Sequence, residues 1–580
     1  MGYIEKYNEW LNNPFFDEDT KRELLDIKDD EKEIESRFHR DLEFGTAGLR
    51  GIIGAGTDRM NKYTVRKATQ GLAISILNSG KEFADKGVVI AYDSRHMSTE
   101  FAFEAALTLI ANGIKTYVFE ELSPTPELSF AVRYLGTAAG IVVTASHNPK
   151  QYNGYKVYWD DGGQLPPKDS DRVLADIASV TDIAGINIAD YDESIKNGML
   201  KIIGTELHDA YIKALKTLSI NIDELQDVAK DLKIVYTPFH GAGYKLVTRI
   251  LKENGFENVI PVKEQVEPDP DFSTVEYPNP EDKAAFKLAI ELAEKTDADL
   301  TMGTDPDSDR VGVVIKNDKG EYIVLEGNQT GLLLVEYILS ERSAKGLLPE
   351  NPYCISTIVS SNLTEVICHK FGVEYMNVLT GFKFFGEKIH MYDDNGLKNC
   401  VMGFEESYGY LIGTFVRDKD AVVTCMMIAE MAAFYKKHGM TLFDALNALY
   451  EKYGFHFEQT IPYTLAGLDG SKKIIDTMTT LRNNPPVKFG TADVAVFSDY
   501  ETLKRKDLRS GEVTDIDCHK SNVLYFETAN GDWFCIRPSG TEPKIKVYLG
   551  AARSTKEEAE AVRDELASNV MGVINPLLGL

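Results

Sequence analysis

Residues 139–159 read Ala139-Gly-Ile-Val-Val-Thr-Ala-Ser146-His-Asn-Pro-Lys-Gln-Tyr-Asn-Gly-Tyr-Lys156-Val-Tyr-Trp159. The apolar run Ile141-Val142-Val143 has strand length and stops abruptly in a polar loop. That loop offers a hydroxyl at Ser146, an imidazole at His147 and a carboxamide at Asn148, and Pro149 ends any pairing. Asn153-Gly154 reads as a turn, after which the chain resumes as a strand carrying Lys156. A serine exposed beyond a buried strand, with basic groups nearby, has the setting of an activated nucleophile. It also has the composition of an ordinary loop. The G-x-S-x-G elbow of serine hydrolases is absent, because Thr144 and Asn148 stand where its glycines would be.

Working outward, strands alternate with helices of ten or more residues, the mark of βαβ units and a parallel-type sheet. Residues 1–40 are acidic and helix-prone. Phe44-Gly-Thr-Ala-Gly-Leu-Arg50-Gly51 reads as a short Gly-rich loop, with Arg50 as a guanidinium fork suited to phosphate. Helix 62–78, a strand ending at Asp93-Ser94-Arg95, helix 99–112 and strand 114–119 follow. The turn Ser123-Pro-Thr-Pro126 and another helix then lead to the strand before Ser146. The pattern restarts near 205, and the Pro- and Asp-rich stretch 267–281 reads as a long loop.

Strand 298–303 opens into Thr304-Asp305-Pro-Asp307-Ser-Asp309-Arg310. Three aspartates at alternate positions aim carboxylates at one cation, and oxygen-only ligands favour Mg²⁺ or Ca²⁺. An EF-hand is excluded, since Arg310 and Lys316 occupy the places of its Gly and Glu. Mg²⁺, which accepts a phosphate oxygen beside carboxylates, fits better; the bland alternative is an acidic surface loop.

A third α/β block runs from about 326 to 450. It carries the loop Thr380-Gly-Phe-Lys383-Phe-Phe-Gly386 and then Gly403-Phe-Glu405-Glu-Ser407-Tyr-Gly409-Tyr410. In an extended segment Glu405 and Ser407 would face one side, where they could hold adjacent sugar hydroxyls. The last block, from about 460, is built differently, with strands around a helix (471–482) and a hairpin at Asn530-Gly531-Asp532. A closing helix from about 555 is expected to be boxed by Ser554 and Glu557. Arg537-Pro-Ser539-Gly540-Thr541-Glu-Pro-Lys544 gathers a guanidinium, hydroxyls and Gly-exposed amides, either a phosphate cradle or a Pro-Gly turn.

A chain of 580 residues, 43% hydrophobic and 26% charged, has the composition of a globular protein of several domains. Its formal net charge of −27 argues against nucleic acid or an anionic membrane as partner. The six cysteines are scattered without C-x-x-C and read as reduced, packed thiols. The start resembles neither a signal peptide nor a myristoylation site, and no apolar run approaches the ~20 residues of a membrane span. The expected location is cytoplasmic.

With these stretches in view, the chain resembles the α-D-phosphohexomutase family, the phosphoglucomutases and phosphomannomutases, most of all the phosphoglucomutase branch. Thr144-Ala-Ser146-His-Asn-Pro149 resembles the family's phosphoserine loop and Asp305–Arg310 its metal loop. Residues 403–409 resemble its sugar-recognition loop and 537–543 its phosphate-binding loop, all in the family's order. The resemblance implies three consecutive α/β domains with mixed βαβ-type sheets and a smaller C-terminal α+β domain around a central cleft. The block structure puts the boundaries at 1–204, 205–325, 326–455 and 456–580.

The implied activity is interconversion of glucose 1-phosphate and glucose 6-phosphate. It would run through a phosphoserine at Ser146 and glucose 1,6-bisphosphate, intermediate and activator. One Mg²⁺ per chain would be held by the Ser146 phosphate, Asp305, Asp307 and Asp309. His147, Lys156, Arg50 and Lys383 are the catalytic candidates, with the proton carrier left open. Glu405, Ser407, Arg310, Arg537, Ser539, Gly540 and Thr541 are the substrate-binding candidates. Phosphomannose or a pentose phosphate is an alternative substrate, a phosphatase or a non-catalytic sugar-phosphate sensor a rival reading. Gly409 stands where some bifunctional members carry His. The partners implied are sugar phosphates, with the chain a monomer or homodimer.

Overall fold

A computed structural model describes residues 2–45, 48–393, 395–465, 467–490, 492–539 and 544–580. The chain divides into two compact units, Met1–Gly327 with Phe382–Gly403 and Ser407–Gly439, and Asn328–Gly381 with Phe404–Glu406 and Met440–Leu580.

The first unit begins with helices Tyr3–Asn12, Glu18–Asp26 and Glu31–Phe38, whose aromatic residues Tyr7, Trp10, Phe16 and Phe38 pack with Tyr63 in a small core. Its larger sheet contains β1 (Phe44–Gly45), β2 (Gly48–Ile52), β3 (Val88–Tyr92), β4 (Thr116–Phe119), β5 (Ala139–Val143), β6 (Tyr152–Trp159) and β7 (Leu200–Ile203). Their order is β1-β2-β6-β5-β3-β4-β7. Strands β5, β3, β4 and β7 are parallel, while β6 pairs antiparallel with both β5 and β2. Every residue of β3 and β5 is buried, as expected of parallel strands covered on both faces. Ile141 and Val143 are fully enclosed, each worth about 1.5–3 kcal/mol of apolar burial.

The same unit holds a second sheet of β8 (Ile234–Thr237), β9 (Val259–Pro261), β10 (Leu300–Thr304), β11 (Val311–Lys316) and β12 (Tyr322–Val324). Its order is β12-β11-β10-β8-β9, with β10, β8 and β9 parallel. The expected strands, helices and long loop at 267–281 are all present, helix Lys287–Thr296 being preceded by a 3₁₀ turn, Lys283–Phe286.

In the second unit β13 (Pro352–Thr357) pairs in parallel with β14 (Glu374–Val378). Farther along the chain come β15 (Asn399–Glu405) and β16 (Gly409–Ile412). The C-terminal part is an eight-stranded antiparallel sheet. Its strands are β17 (Phe455–Thr464), β18 (Lys488–Phe489), β19 (Ala492–Asp499), β20 (Lys504–Asp507), β21 (Val513–Asp515), β22 (Leu524–Thr528), β23 (Trp533–Pro538) and β24 (Lys544–Arg553). Helices Gly467–Asn483 and Lys556–Leu578 pack on it through Ile474, Met478, Val570 and Ile574, an α+β arrangement.

Five local expectations are corrected. Asn153-Gly154 is not a turn but lies inside β6; a Cβ on Gly154 would sit 2.4 Å from the Thr144 carbonyl oxygen, so this glycine serves close strand approach. Arg50 lies in a strand rather than a loop, β2 pairing antiparallel with β1 so that Phe44 is opposite Leu49, and Gly48 faces Lys156 of β6 with its absent Cβ 1.9 Å from Tyr155 O. Lys383 opens a helix, Lys383–Asp393. Ser407 belongs to a turn after β15, with Tyr408 left-handed at φ 66°, not to an extended segment shared with Glu405. The last helix is capped by Thr555, whose hydroxyl accepts from Glu558 N, one residue beyond the expected Ser554 box.

Among the described residues no helix is long and apolar enough to cross a membrane. The cysteines are free thiols, five of them buried.

Candidate active site

Ser146 follows β5 in a left-handed conformation, φ 53°, which costs a non-glycine residue about 1–2 kcal/mol. Hydrogen bonds hold the turn. Ser146 N donates to Thr144 Oγ1 (2.7 Å), and the Thr144 hydroxyl donates to Asp93 Oδ2 (2.6 Å). The turn aims Ser146 Oγ at Asp305 Oδ2, 2.9 Å away, and brings it 3.1 Å from His147 Nδ1.

Asp305, Asp307 and Asp309 follow β10 and are buried, each offering an oxygen within 4.8 Å of the others'. Asp305 Oδ1 accepts from the backbone N–H groups of Asp309 (3.1 Å) and Arg310 (3.0 Å), closing the loop on itself. Asp307 Oδ2 accepts from Lys156 Nζ and Thr125 Oγ1, both at 2.8 Å. Asp309 Oδ2 lies 3.3 Å from Lys419 Nζ and 3.4 Å from Lys156 Nζ. Asp307 Oδ1 and Asp309 Oδ1 are buried without a hydrogen-bond partner among the described residues. Orphaned anionic oxygens are costly unless a cation meets them. Burial and the neighbouring charges of Asp307 and Asp309 push the Asp305 carboxyl far above its ordinary range. Burial pushes Asp307 the same way, but Lys156 outweighs it and holds that carboxyl low. Three buried carboxylates, two of them with an oxygen lacking a hydrogen-bond partner among the described residues, fit a hard divalent cation.

Burial, then Arg310 and Arg50, keep the His147 imidazole neutral, well below its usual range. Burial works against charge on Lys156 as well, yet Asp307 and Asp309 prevail and raise it. Arg50 on β2 donates to Asn148 Oδ1 (3.2 Å) and so reaches the Ser146 loop. Arg310 pairs with Glu281 at 2.5 Å. The sequence reading gave no role to Thr125, Lys419 or Asp418. Asp418 is fully buried, accepts from Tyr158 (2.6 Å) and Gln164 (2.7 Å), and lies 3.1 Å from Lys419 Nζ. Its only available signal was a charge-dense Arg417-Asp-Lys-Asp420 at the head of an otherwise apolar helix.

Gly409, just past the turn at 406–408, bridges antiparallel to Arg310, and Val311 N donates to Tyr408 O (3.1 Å). The end of that loop is thereby tied to the aspartate loop. Glu405 is buried at the end of β15. Glu406 accepts from Thr357 Oγ1 (2.9 Å), and burial with the adjacent Glu405 charge pushes it up to about 7. Lys383 Nζ lies over the Phe384 ring, and Lys419 Nζ over that of Phe382. Arg537 is half-buried on β23, and Ser539 N donates to Lys544 O (2.7 Å). Gly540 and Thr541 lie outside the described residues.

Four family models match in chain order. Those of phosphoglucomutase/phosphomannomutase alpha/beta/alpha domains I, II and III cover residues 41–183, 209–320 and 326–453, and that of the C-terminal domain covers 496–568. A phosphoglucomutase of Staphylococcus aureus (strain MRSA252) is 41% identical over 521 residues, 90% of this chain and 91% of that protein. One of Staphylococcus saprophyticus is 38% identical over 547 residues, 94% and 95% of the two chains. Among solved structures, the open form of pp63/parafusin, a phosphoglucomutase from Paramecium, aligns with TM-score 0.69 at 18% identity, covering 93% of this chain and 96% of that one. A family protein from Burkholderia thailandensis aligns with TM-score 0.63 at 19% identity, covering 91% and 96%. At such identities the structures speak for the fold alone.

Proposed function

Since the chain belongs to the phosphoglucomutase/phosphomannomutase family, we propose that it is a phosphoglucomutase, interconverting glucose 1-phosphate and glucose 6-phosphate. The observation that carries the reading is Ser146 Oγ, 2.9 Å from Asp305 beside two more buried carboxylates and three basic side chains, His147, Lys156 and Arg50.

Ser146 Oγ carries the phosphoryl group. In the first half-reaction the free hydroxyl of a sugar monophosphate attacks phosphorus. The P–Oγ bond breaks, a P–O(sugar) bond forms, and the hydroxyl proton leaves to a base, giving glucose 1,6-bisphosphate. That intermediate turns around, and Ser146 Oγ takes its other phosphoryl group by the reverse step. His147, Lys156, Arg50 and Lys383 are the candidates to move the proton or balance charge. Such transfer depends mostly on positioning and electrostatics. Asp305, Asp307 and Asp309, with the phosphate on Ser146, would hold one Mg²⁺. When bound, the ion neutralises charge on the phosphoryl oxygens.

Glu405 and Ser407 are assigned the sugar hydroxyls, and Arg310, Arg537, Ser539, Gly540 and Thr541 the non-reacting phosphate. The domains would divide at 1–204, 205–325, 326–455 and 456–580, and the location would be cytoplasmic. A panel of glucose, mannose, glucosamine and ribose 1-phosphates, compared by kcat/KM, tests the assignment. Preference for mannose or ribose would move the chain to a sister activity, phosphomannomutase or phosphopentomutase. Release of inorganic phosphate without isomerisation would make it a phosphatase.

A further inference from the structure

Arg95 touches none of the side-chain groups so far assigned to substrate or cation, and no motif singles it out. The residue is 3% exposed, and its guanidinium nevertheless gathers the carbonyls of the Ser146 loop. Nη2 donates to Ser146 O and Asn148 O, both at 2.5 Å, and Nη1 donates to Pro149 O (2.9 Å) and Tyr152 O (3.1 Å). Converging carbonyl dipoles repel one another unless a cation sits among them. The planar fork of arginine meets four at once, which a lysine ammonium with three donors does not. Asp93 completes the grip, with Oδ2 lying 3.2 Å from Arg95 Nε and accepting from the Thr144 hydroxyl that holds Ser146 N. The left-handed serine is thus held at its amide through Thr144 and at its carbonyl through Arg95.

The guanidinium carbon lies 4.9 Å from the ring centroid of Phe272, a buried residue of the loop 267–281. Asp271 beside it reaches Lys150 (3.1 Å) and His96 (3.3 Å). Those pairs are exposed and contribute little; the buried ring is the substantial contact.

We propose that Arg95, covered by Phe272, is a positioning residue that holds Ser146 Oγ on the line of phosphoryl transfer. The proposal rests on Ser146 being the phosphoryl carrier. The test follows single-turnover loading of dephosphorylated enzyme by glucose 1,6-bisphosphate. In that step Ser146 Oγ bonds to phosphorus, the P–O(sugar) bond breaks, and the serine proton ends on the released sugar hydroxyl. The rate and the final phosphorylated fraction are both read by mass.

Arg95→Lys is expected to load roughly 10²-fold more slowly, the cost of misplacing a reacting atom by about 1 Å. It should still reach the wild-type fraction, with KM for glucose 1-phosphate nearly unchanged. In Arg95→Ala, added guanidinium should restore part of the rate and ammonium should not. An unchanged rate, or a loss of rate matched by a loss of loadable fraction, would overturn the proposal, the second outcome marking a merely structural residue. If neither Arg95 variant folds, Phe272→Leu decides. A several-fold slower loading to full amplitude supports the proposal, and wild-type loading overturns it. Wild-type enzyme that never gains mass at Ser146 would instead overturn the carrier reading, and the proposal with it.

Discussion

Two serines, one in each of two loops of the candidate site, share a backbone conformation and differ in what enforces it. Ser146 follows β5 at φ 53°, and Ser308 follows β10 at φ 51°. The Asp305–Arg310 loop is tied at its amides by its own residues, while three of its carbonyls accept from Thr125 N, Ala242 N and Ala421 N outside it. Asp305 Oδ1 takes the amides of Asp309 and Arg310, and Ser308 N donates to Asp305 O. The Ser146 loop leans on a distant one, through Asp93 and Arg95, more than fifty residues earlier. A loop that ties its own amides advertises its purpose in a short motif. A loop held from elsewhere shows only its reactive group.

The largest expected effect removes that group. Ser146→Ala should abolish mutase turnover while costing about 1–3 kcal/mol of stability, since it removes the hydroxyl donor to buried Asp305 Oδ2 but leaves the backbone held by Thr144 and Arg95. Purified wild-type enzyme should carry a fraction about 80 Da heavier at the Ser146 peptide, absent from the variant. Near-normal turnover by Ser146→Ala would sink the mechanism at its centre.

Next comes the cation. Chelation should silence the enzyme and Mg²⁺ restore it, because Asp307 Oδ1 and Asp309 Oδ1 have no hydrogen-bond partner among the described residues. Asp307→Ala should lower kcat by roughly 10³-fold or more, a loss of several kcal/mol of charge stabilisation. The loop backbone should survive both treatments, because the amides of Asp309 and Arg310 donate to Asp305 and not to Asp307. Hydrogen exchange at Asp309 and Arg310 tests this, and rapid exchange there in Asp307→Ala would show that the loop depends on more than its bonds to Asp305.

The same contrast explains what was legible in the sequence. Strand–helix alternation located β3, β5 and β10, because buried parallel strands are short, largely apolar runs. Asp305, Asp307 and Asp309 declared themselves by spacing. Thr125, Arg95 and Lys419 did not, since each acts on a partner far along the chain: Thr125 is 182 residues from Asp307. The glycines misled for a related reason. Gly154 and Gly48 were read as loop formers, but both sit in strands where a neighbouring backbone leaves no room for a Cβ. Lys383 and Ser407 were placed in the wrong local structure because a short Gly- and Phe-rich segment carries no periodicity to separate a helix start from a loop.

A smaller effect probes the outside hold on Ser146. Thr144→Val keeps the shape of a fully enclosed side chain but removes the acceptor for Ser146 N and the donor to Asp93. The expected cost is about 1–3 kcal/mol for the polar groups left unmatched, with a several-fold fall in kcat and little change in KM. Thermal unfolding and steady-state kinetics measure both. A variant with wild-type kcat would show that Ser146 does not need its amide held.

The smallest effect is expected at Ser308. Glycine there would relieve a left-handed conformation that costs a side-chain-bearing residue about 1–2 kcal/mol. It would also enlarge the backbone freedom of the unfolded chain, an opposing term of about 0.4–1 kcal/mol. The hydroxyl adds little to the balance, its contact with Asp305 O being 3.5 Å long. Ser308→Gly should therefore leave stability within about 1 kcal/mol of wild type, with Mg²⁺ affinity and kcat close to wild type, because Asp305 still receives the amides of Asp309 and Arg310. Calorimetry of Mg²⁺ binding decides the point. A tenfold loss of affinity would mean that the Ser308 side chain shapes the site, and that the aspartate loop needs a side-chain clamp as the Ser146 loop does.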